Sequence, residues 1–275
     1  YLGADPVLVD INLETFCIDP KLIEKKITTK TKGIIVVHFA GLCAEMNEII
    51  EIAKKNSLFI IEDAAHALPT KYSNKLVGTF DTDATVFSFY ANKTITTGEG
   101  GMLVTRSKKI YERAMKMRLH GIDRDAFSRF QSNVPSWKYD IVAPGYKYNM
   151  TDIAASIGIH QLKKAFLFQQ KRSAIAEIYN KNLSSLPFLL PPSFGHDYTR
   201  MHSWHLYVIR LKEEYISKRD LLINFLYENG VGCSVHYIPL HRMSYWKHRY
   251  NYNNSDFPIS DRIYQASVSL PIYPD

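Results

Sequence analysis

The chain of 275 residues, 46% apolar and 22% charged, has the composition of an ordinary globular protein and is long enough for one large domain or a large and a small one. Its 34 Lys plus Arg outnumber 27 Asp plus Glu for a net charge of +7. The basic residues are scattered in short clusters such as "KLIEKK" and "KTK", which suits a solvated surface or an anionic small molecule better than a nucleic acid. No apolar run reaches transmembrane length, no signal peptide opens the sequence, and Cys17, Cys43 and Cys233 are too dispersed for a disulfide framework or a zinc site. The expectation is a cytoplasmic protein with no membrane partner and no metal.

"VLVDI" near the start is expected to be a strand. "IIVV" (Ile34–Val37) and "LFII" (Leu58–Ile61) are expected to be strands buried on both faces. Between them Met46, Ile49, Ile50 and Ala53 fall at i, i+3, i+4 and i+7, the stripe of an amphipathic helix. Strand, helix, strand at short range is a βαβ unit, so the fold class is α/β with a mostly parallel sheet covered by helices. "ATVFSF" and "GMLVT" add two strands, and Ser107 to Leu119 a helix.

After a loop rich in aromatic residues, Thr151 caps a single long helix running to about Leu183, with Ile153, Ile157, Leu162 and Phe166 along one face. "LPFLLPP" ends that pattern. A strand at "WHLYVIRL", a helix at "DLLINFLYENG" closed by Gly230 and a strand near "CSVHY" follow, without an evident closing helix at the end. The expected division is a large domain over residues 1–165 and a smaller α+β domain over residues 166–275, entered through the long helix.

In an open parallel sheet, ligands lie beyond the carboxyl ends of the strands. "LFIIED" puts Asp63 at such an end and "VFSF" does so for Ser88. Lys93 follows in "SFYANKTITTGEGG". A carboxylate, a hydroxyl and an amine at one rim are what pyridoxal phosphate needs: a lysine for the Schiff base, an acid for the ring nitrogen and a hydroxyl donor for the phosphate. Singly, each has a plainer explanation, with Asp63 as a turn residue and "TTGEGG" as a hairpin turn. In order, "EDAAHAL", "SFYANK" and "TTGEGG" form a pattern that chance rarely makes. The ten histidines show no HExxH and no third ligand at convincing spacing.

On these segments, with "GADPVLVDI", "GIIVVHFAGLCAEM", "PGYKYNMTDIAASIGIHQL" and "HYIPLH", the sequence resembles the DegT/StrS family of sugar aminotransferases, pyridoxal-phosphate enzymes of the aspartate-aminotransferase-like fold. The resemblance implies that Lys93 carries the cofactor and shuttles the proton, Asp63 pairs with the pyridine nitrogen, His66 lies beside the ring and its phenolic oxygen, and Ser88 binds the phosphate. It implies a homodimer whose sites borrow the "PGYKYNMTD" loop from the neighbouring subunit. Lys147 there stands where many relatives have Asn, with Asn149 close by, both able to bind the phosphate. His236 would face the sugar nucleotide. A related branch, the sugar 3-dehydratases, has histidine in place of the lysine, so Lys93 implies transamination from an amino acid, glutamate, to a nucleotide-linked keto-sugar for polysaccharide or glycan synthesis. The family's opening block, with its phosphate-binding turn and ring-stacking aromatic, has no match here, nor does its final helix. The sequence is therefore expected to be truncated at both ends, and the alternative expectation is a catalytically silent homologue acting as a partner subunit or an incomplete gene product.

Overall fold

A computed structural model of the chain describes residues 2–123, 139–192 and 197–274. Residues 124–138 of the loop rich in aromatic residues lie outside them. A short helix α1 (Pro20–Ile23), started by the Asp19 carboxylate accepting from the Lys21 amide, precedes the main sheet. The sheet runs in the order β1 (Gly33–Val37), β2 (Phe59–Asp63), β5 (Ala84–Ser88), β6 (Gly101–Val104). Helix α2 (Met46–Lys55) links β1 to β2. A two-stranded hairpin, β3 (Lys71–Tyr72) and β4 (Lys75–Leu76), interrupts the path to β5. The pairs β1–β2 and β2–β5 are parallel and β5–β6 is antiparallel, as a mostly parallel α/β sheet requires.

Among the described residues, helices cover one face of this sheet. Met46, Ile49 and Ala53 of α2 pack on Ile34, Val36 and Ile60, and all are buried. Alternate residues point the other way. There Ile35 is 65% exposed, Phe59 44% and Val86 41%. The expectation of strands buried on both faces is thus corrected, because among the described residues no helix packs on the second face. "VLVDI" is not a strand either; it contributes one bridge, Ile11 to Ile18. Its polar groups are committed elsewhere, since Asp10 accepts from the amides of Ile259 and Ser260 at the start of the last helix.

Helix α3 (Lys108–Met117) begins at Ser107, whose hydroxyl accepts from the Ile110 amide. Helix α4 (Asp152–Leu183) begins at Thr151, which accepts from the Ala154 amide. The stripe of Ile153, Ile157, Leu162 and Phe166 on α4 is exposed, while Ala165, Gln169, Arg172 and Ala176 face inward. Ala165 belongs to the core under the main sheet and Ala176 to a second core. That second core lies on an antiparallel sheet, β7 (Phe188–Leu189), β8 (Tyr207–Leu211) and β9 (Ser267–Leu270). It is packed by α5 (Arg219–Glu228), whose Leu222, Ile223 and Leu226 join the cluster.

Helices α6 (Ser244–Tyr250) and α7 (Pro258–Ala266), like β9, were not expected from the sequence. "CSVHY" forms no strand: Ser234 makes a single bridge to Ser269, after which the chain carries His236 and Tyr237 toward the rim of the main sheet.

Candidate active site

The connectivity decides where the chemistry sits. β2 and β5 are parallel, so Asp63 and Ser88 end at the same rim, and β6 re-enters there with Gly101 opposite Ser88. The twelve residues between β5 and β6 never leave that rim, and Lys93 is among them. Its flanks are fixed: the Thr94 hydroxyl donates to the Leu68 carbonyl at 2.5 Å, Ile95 is buried, and the Lys93 amide donates to the Tyr90 carbonyl at 3.0 Å. The "TTGEGG" turn closes the excursion, with the Thr97 amide bonded to the Phe89 carbonyl. Gly98 holds φ +80° there, a left-handed conformation that glycine adopts without strain.

The Lys93 amine is half-buried and makes no hydrogen bond to the described residues. Burial lowers its pKa from that of a free lysine, and the nearby Asp63 charge opposes the drop. Asp63 accepts from the Ala65 amide through Oδ1 at 3.0 Å, the turn role expected of such a residue, while its Oδ2 takes no hydrogen bond from the described residues. Ser88 accepts from the Tyr90 amide at 3.3 Å.

His66, on the turn after β2, is buried. The Ala40 amide can only donate, and it reaches His66 Nδ1 at 3.2 Å. The proton of the neutral ring therefore sits on Nε2, which faces the Tyr237 hydroxyl at 3.5 Å. Burial, with the Lys93 and His236 charges, pushes the His66 pKa down to about 3, so the ring is uncharged at neutral pH. His236 is held through Nδ1 by the Ser269 hydroxyl at 2.8 Å; its pKa is lowered by burial and by Lys93.

Lys93 thus acts on His66 and His236, and Asp63 on Lys93, which brings these groups together with Ser88 on the same rim. Lys147 and Asn149 are not part of this group. Lys147 is exposed and donates to the Asn149 side chain, and among the described residues no hydrogen bond joins either to the four. Residues that the sequence reading did not single out for this rim are Tyr237 and His205, the latter with its ring centroid 4.3 Å from His66. Their signal is weak in a sequence, since each is an aromatic residue beside an apolar run.

A second unanticipated feature lies beneath the rim. Because β2 alternates, Glu62 points opposite to Asp63, into the covered face, and is fully buried. It accepts from His38 Nε2 at 3.0 Å, Thr82 at 2.5 Å and Thr85 at 2.7 Å. Burial would raise its pKa, but these hydrogen bonds outweigh burial and hold it below the usual value. His38 in turn accepts from the Ala44 amide through Nδ1, so the pair is a neutral imidazole on an ionised carboxylate.

The donor set suits pyridoxal phosphate: an unpaired, half-buried amine, a carboxylate with a free oxygen, a neutral imidazole N–H and a hydroxyl at one rim. Among the described residues no group of three or more His, Cys, Asp or Glu could hold a metal ion, and no helix is long and apolar enough to cross a membrane.

Comparison with known proteins shows the family. A model of the DegT/DnrJ/EryC1/StrS aminotransferase family matches residues 1–275. The chain is 47% identical over 272 residues to the protein MJ1066 of Methanocaldococcus jannaschii, covering 98% of this chain and 69% of that one. It is 40% identical to the spore coat polysaccharide biosynthesis protein SpsC of Bacillus subtilis, covering 100% and 70%. Among solved structures, Spr1654 of Streptococcus pneumoniae in its PMP form superposes with a TM-score of 0.90 at 32% identity, covering 99% of this chain and 72% of that one. PseC of Helicobacter pylori, an aminotransferase involved in the biosynthesis of pseudoaminic acid, does so with 0.90 at 30%, covering 99% and 70%. The chain belongs to the DegT/DnrJ/EryC1/StrS aminotransferase family, whose cofactor is pyridoxal 5′-phosphate.

Proposed function

We propose that this rim transfers an amino group from an amino acid, glutamate, to a nucleotide-linked keto-sugar that feeds polysaccharide or glycan synthesis. The observation that carries the reading is the Lys93 amine, half-buried, without a hydrogen-bond partner among the described residues and lowered in pKa by burial, with Asp63 nearby. Bound there, pyridoxal phosphate supplies an aldehyde for the amine and a ring that withdraws electrons from the donor's α-carbon. Lys93 takes the proton from that carbon and returns it, a task for which a lowered pKa is suited. Asp63 would pair with the ring nitrogen through its second carboxylate oxygen. His66 offers a neutral N–H to the phenolic oxygen, Ser88 holds the phosphate, and His236 meets the sugar nucleotide. With these groups in place, a catalytically silent homologue is not favoured.

The reading includes a homodimer with shared sites. Two features support it: the exposed apolar stripe of α4, with Ile153 78% and Phe166 54% exposed, and the pairing of Lys147 with Asn149 instead of with the rim residues. In such a dimer these two residues reach the partner's phosphate. The reading also divides the chain into residues 1–165 and 166–275, supported by the two separate cores joined by α4. It places the protein in the cytoplasm, in keeping with three free thiols.

The experiment is a half-reaction. Cofactor-loaded protein mixed with glutamate should form 2-oxoglutarate stoichiometrically, and a panel of nucleotide keto-sugars should then discharge it. No 2-oxoglutarate from glutamate, and no corresponding 2-oxo acid from any other amino acid, would contradict the reading.

A further inference from the structure

We infer that His205 is a positioning residue for His66: its ring seals one face of the His66 imidazole from water and so holds it as an uncharged Nε2–H donor toward the rim. The His205 ring lies 4.3 Å from that of His66, centroid to centroid, with 38° between the planes, and only 6% of the residue is exposed. Its Nδ1 is buried and finds no hydrogen-bond partner among the described residues. The ring therefore does not act on His66 through that nitrogen; it acts as a slab that displaces water.

What fixes the slab is the backbone on either side of it. The Leu206 amide donates to the Ala40 carbonyl at 3.1 Å, and the Ala40 amide is the donor that sets the His66 tautomer. The Ser203 amide donates to the Gly41 carbonyl at 3.1 Å, and the Ser203 hydroxyl donates to the His66 carbonyl at 2.6 Å. A Cβ on Gly41 would lie 2.1 Å from that hydroxyl, so the clamp needs glycine at this position, at φ +101°. The segment 203–206, just ahead of β8, and the segment 39–41, after β1, thus grip His66 from both of its ends.

The remaining surroundings of His66 are accounted for. Phe39 packs edge-on at 6.1 Å, Tyr237 lies over the ring at 6.3 Å, and the charges of Lys93 and His236 act on it, with Asp63 acting in turn on Lys93 and Tyr237. The Lys93 charge and the dry wall work in the same direction, against a proton on His66. His205 is itself depressed to about 2 by burial, then by His66 and Lys93, so it does not compete for the proton at neutral pH. A neutral, tautomer-fixed donor is what the phenolic oxygen of the cofactor needs. That consequence rests on the aminotransferase reading; the tautomer does not.

The test is an imidazole 15N NMR titration of the cofactor-free chain between pH 5 and 8, in wild type, His205→Phe and His205→Ser. His205→Phe keeps the slab, and His66 should remain neutral with its proton on Nε2 at pH 5, as in wild type. His205→Ser admits water, and His66 should then titrate within this range, its pKa moving toward the ~6.5 of a free imidazole. A His66 that is charged at pH 5 in wild type or in His205→Phe overturns the inference, and so does one that stays neutral at pH 5 in His205→Ser. In the cofactor-loaded protein, the pH at which the visible band changes should move in His205→Ser and not in His205→Phe. If the NMR result holds and no visible band forms at all, the aminotransferase reading fails while the role of His205 stands.

Discussion

The two faces of the main sheet are built from the same kind of residue and do different things. On the covered face, Ile34, Val36 and Ile60 meet α2, and the one charge there, Glu62, is enclosed by three donors. On the open face, Ile35, Phe59 and Val86 have no helix over them among the described residues, and Asp63 and Ser88 stand at its rim in the same alternation. Strand alternation therefore separates a carboxylate that supports the fold from its sequence neighbour that is left available for chemistry. The same asymmetry runs along α4, whose inward side carries Ala165, Gln169, Arg172 and Ala176 and whose outward side carries Ile153, Leu162 and Phe166.

This contrast can be broken at its strongest point. Glu62→Ala leaves buried His38 and Thr85, and half-buried Thr82, without their acceptor, and each buried unsatisfied donor costs roughly 1–3 kcal/mol. The expected loss, read by urea unfolding, is at least about 3 kcal/mol, and Glu62→Gln should recover part of it. Ile60→Ala on the covered face should cost about 2–5 kcal/mol, against less than about 1 kcal/mol for Ile35→Ala on the open face. Equal costs for the two isoleucines would show that the second face is covered in solution.

The rim makes a pH prediction. His66 and His202 are depressed to about 3 and His205 to about 2, mainly by burial, so all three are neutral in the folded protein and take protons near pH 6.5 when unfolded. Folded pKa values below unfolded ones mean that the unfolded state binds more protons in this window, so stability is complete above about pH 6.5 and falls as the pH drops below it. Glu62, also lowered, adds its loss only below its ordinary 4.5. Thermal melts from pH 8 to pH 5 should show the decline, and His205→Phe should reduce its slope. The smallest effect is Thr151→Ala, which removes the cap of α4 for about 1 kcal/mol by the same unfolding assay.

Much of this was legible in the sequence where local rules suffice. The 3.6-residue stripe of Met46, Ile49 and Ala53, the caps Ser107 and Thr151 and the strand-end positions of Asp63 and Ser88 follow from short-range pattern. Placing Lys93 at the rim needed only the connection from β5 to β6. What was not legible depends on distant partners. Apolar alternation in β1 looks the same whether or not a helix covers its second face. "VLVDI" has strand composition but spends Asp10 on capping a helix about 250 residues away. His205 and Tyr237 meet His66 across more than 130 residues, a contact that no local pattern encodes.

The central claim is that Lys93 is the lysine that holds the cofactor, and a single labelling experiment tests it. The purified chain would be titrated with pyridoxal phosphate by visible absorbance, reduced with borohydride and mapped by peptide mass. The account predicts one saturable visible band and one modified site, Lys93, with Lys93→Ala abolishing both. No band, or label spread over exposed lysines with the Lys93→Ala pattern unchanged, would contradict it.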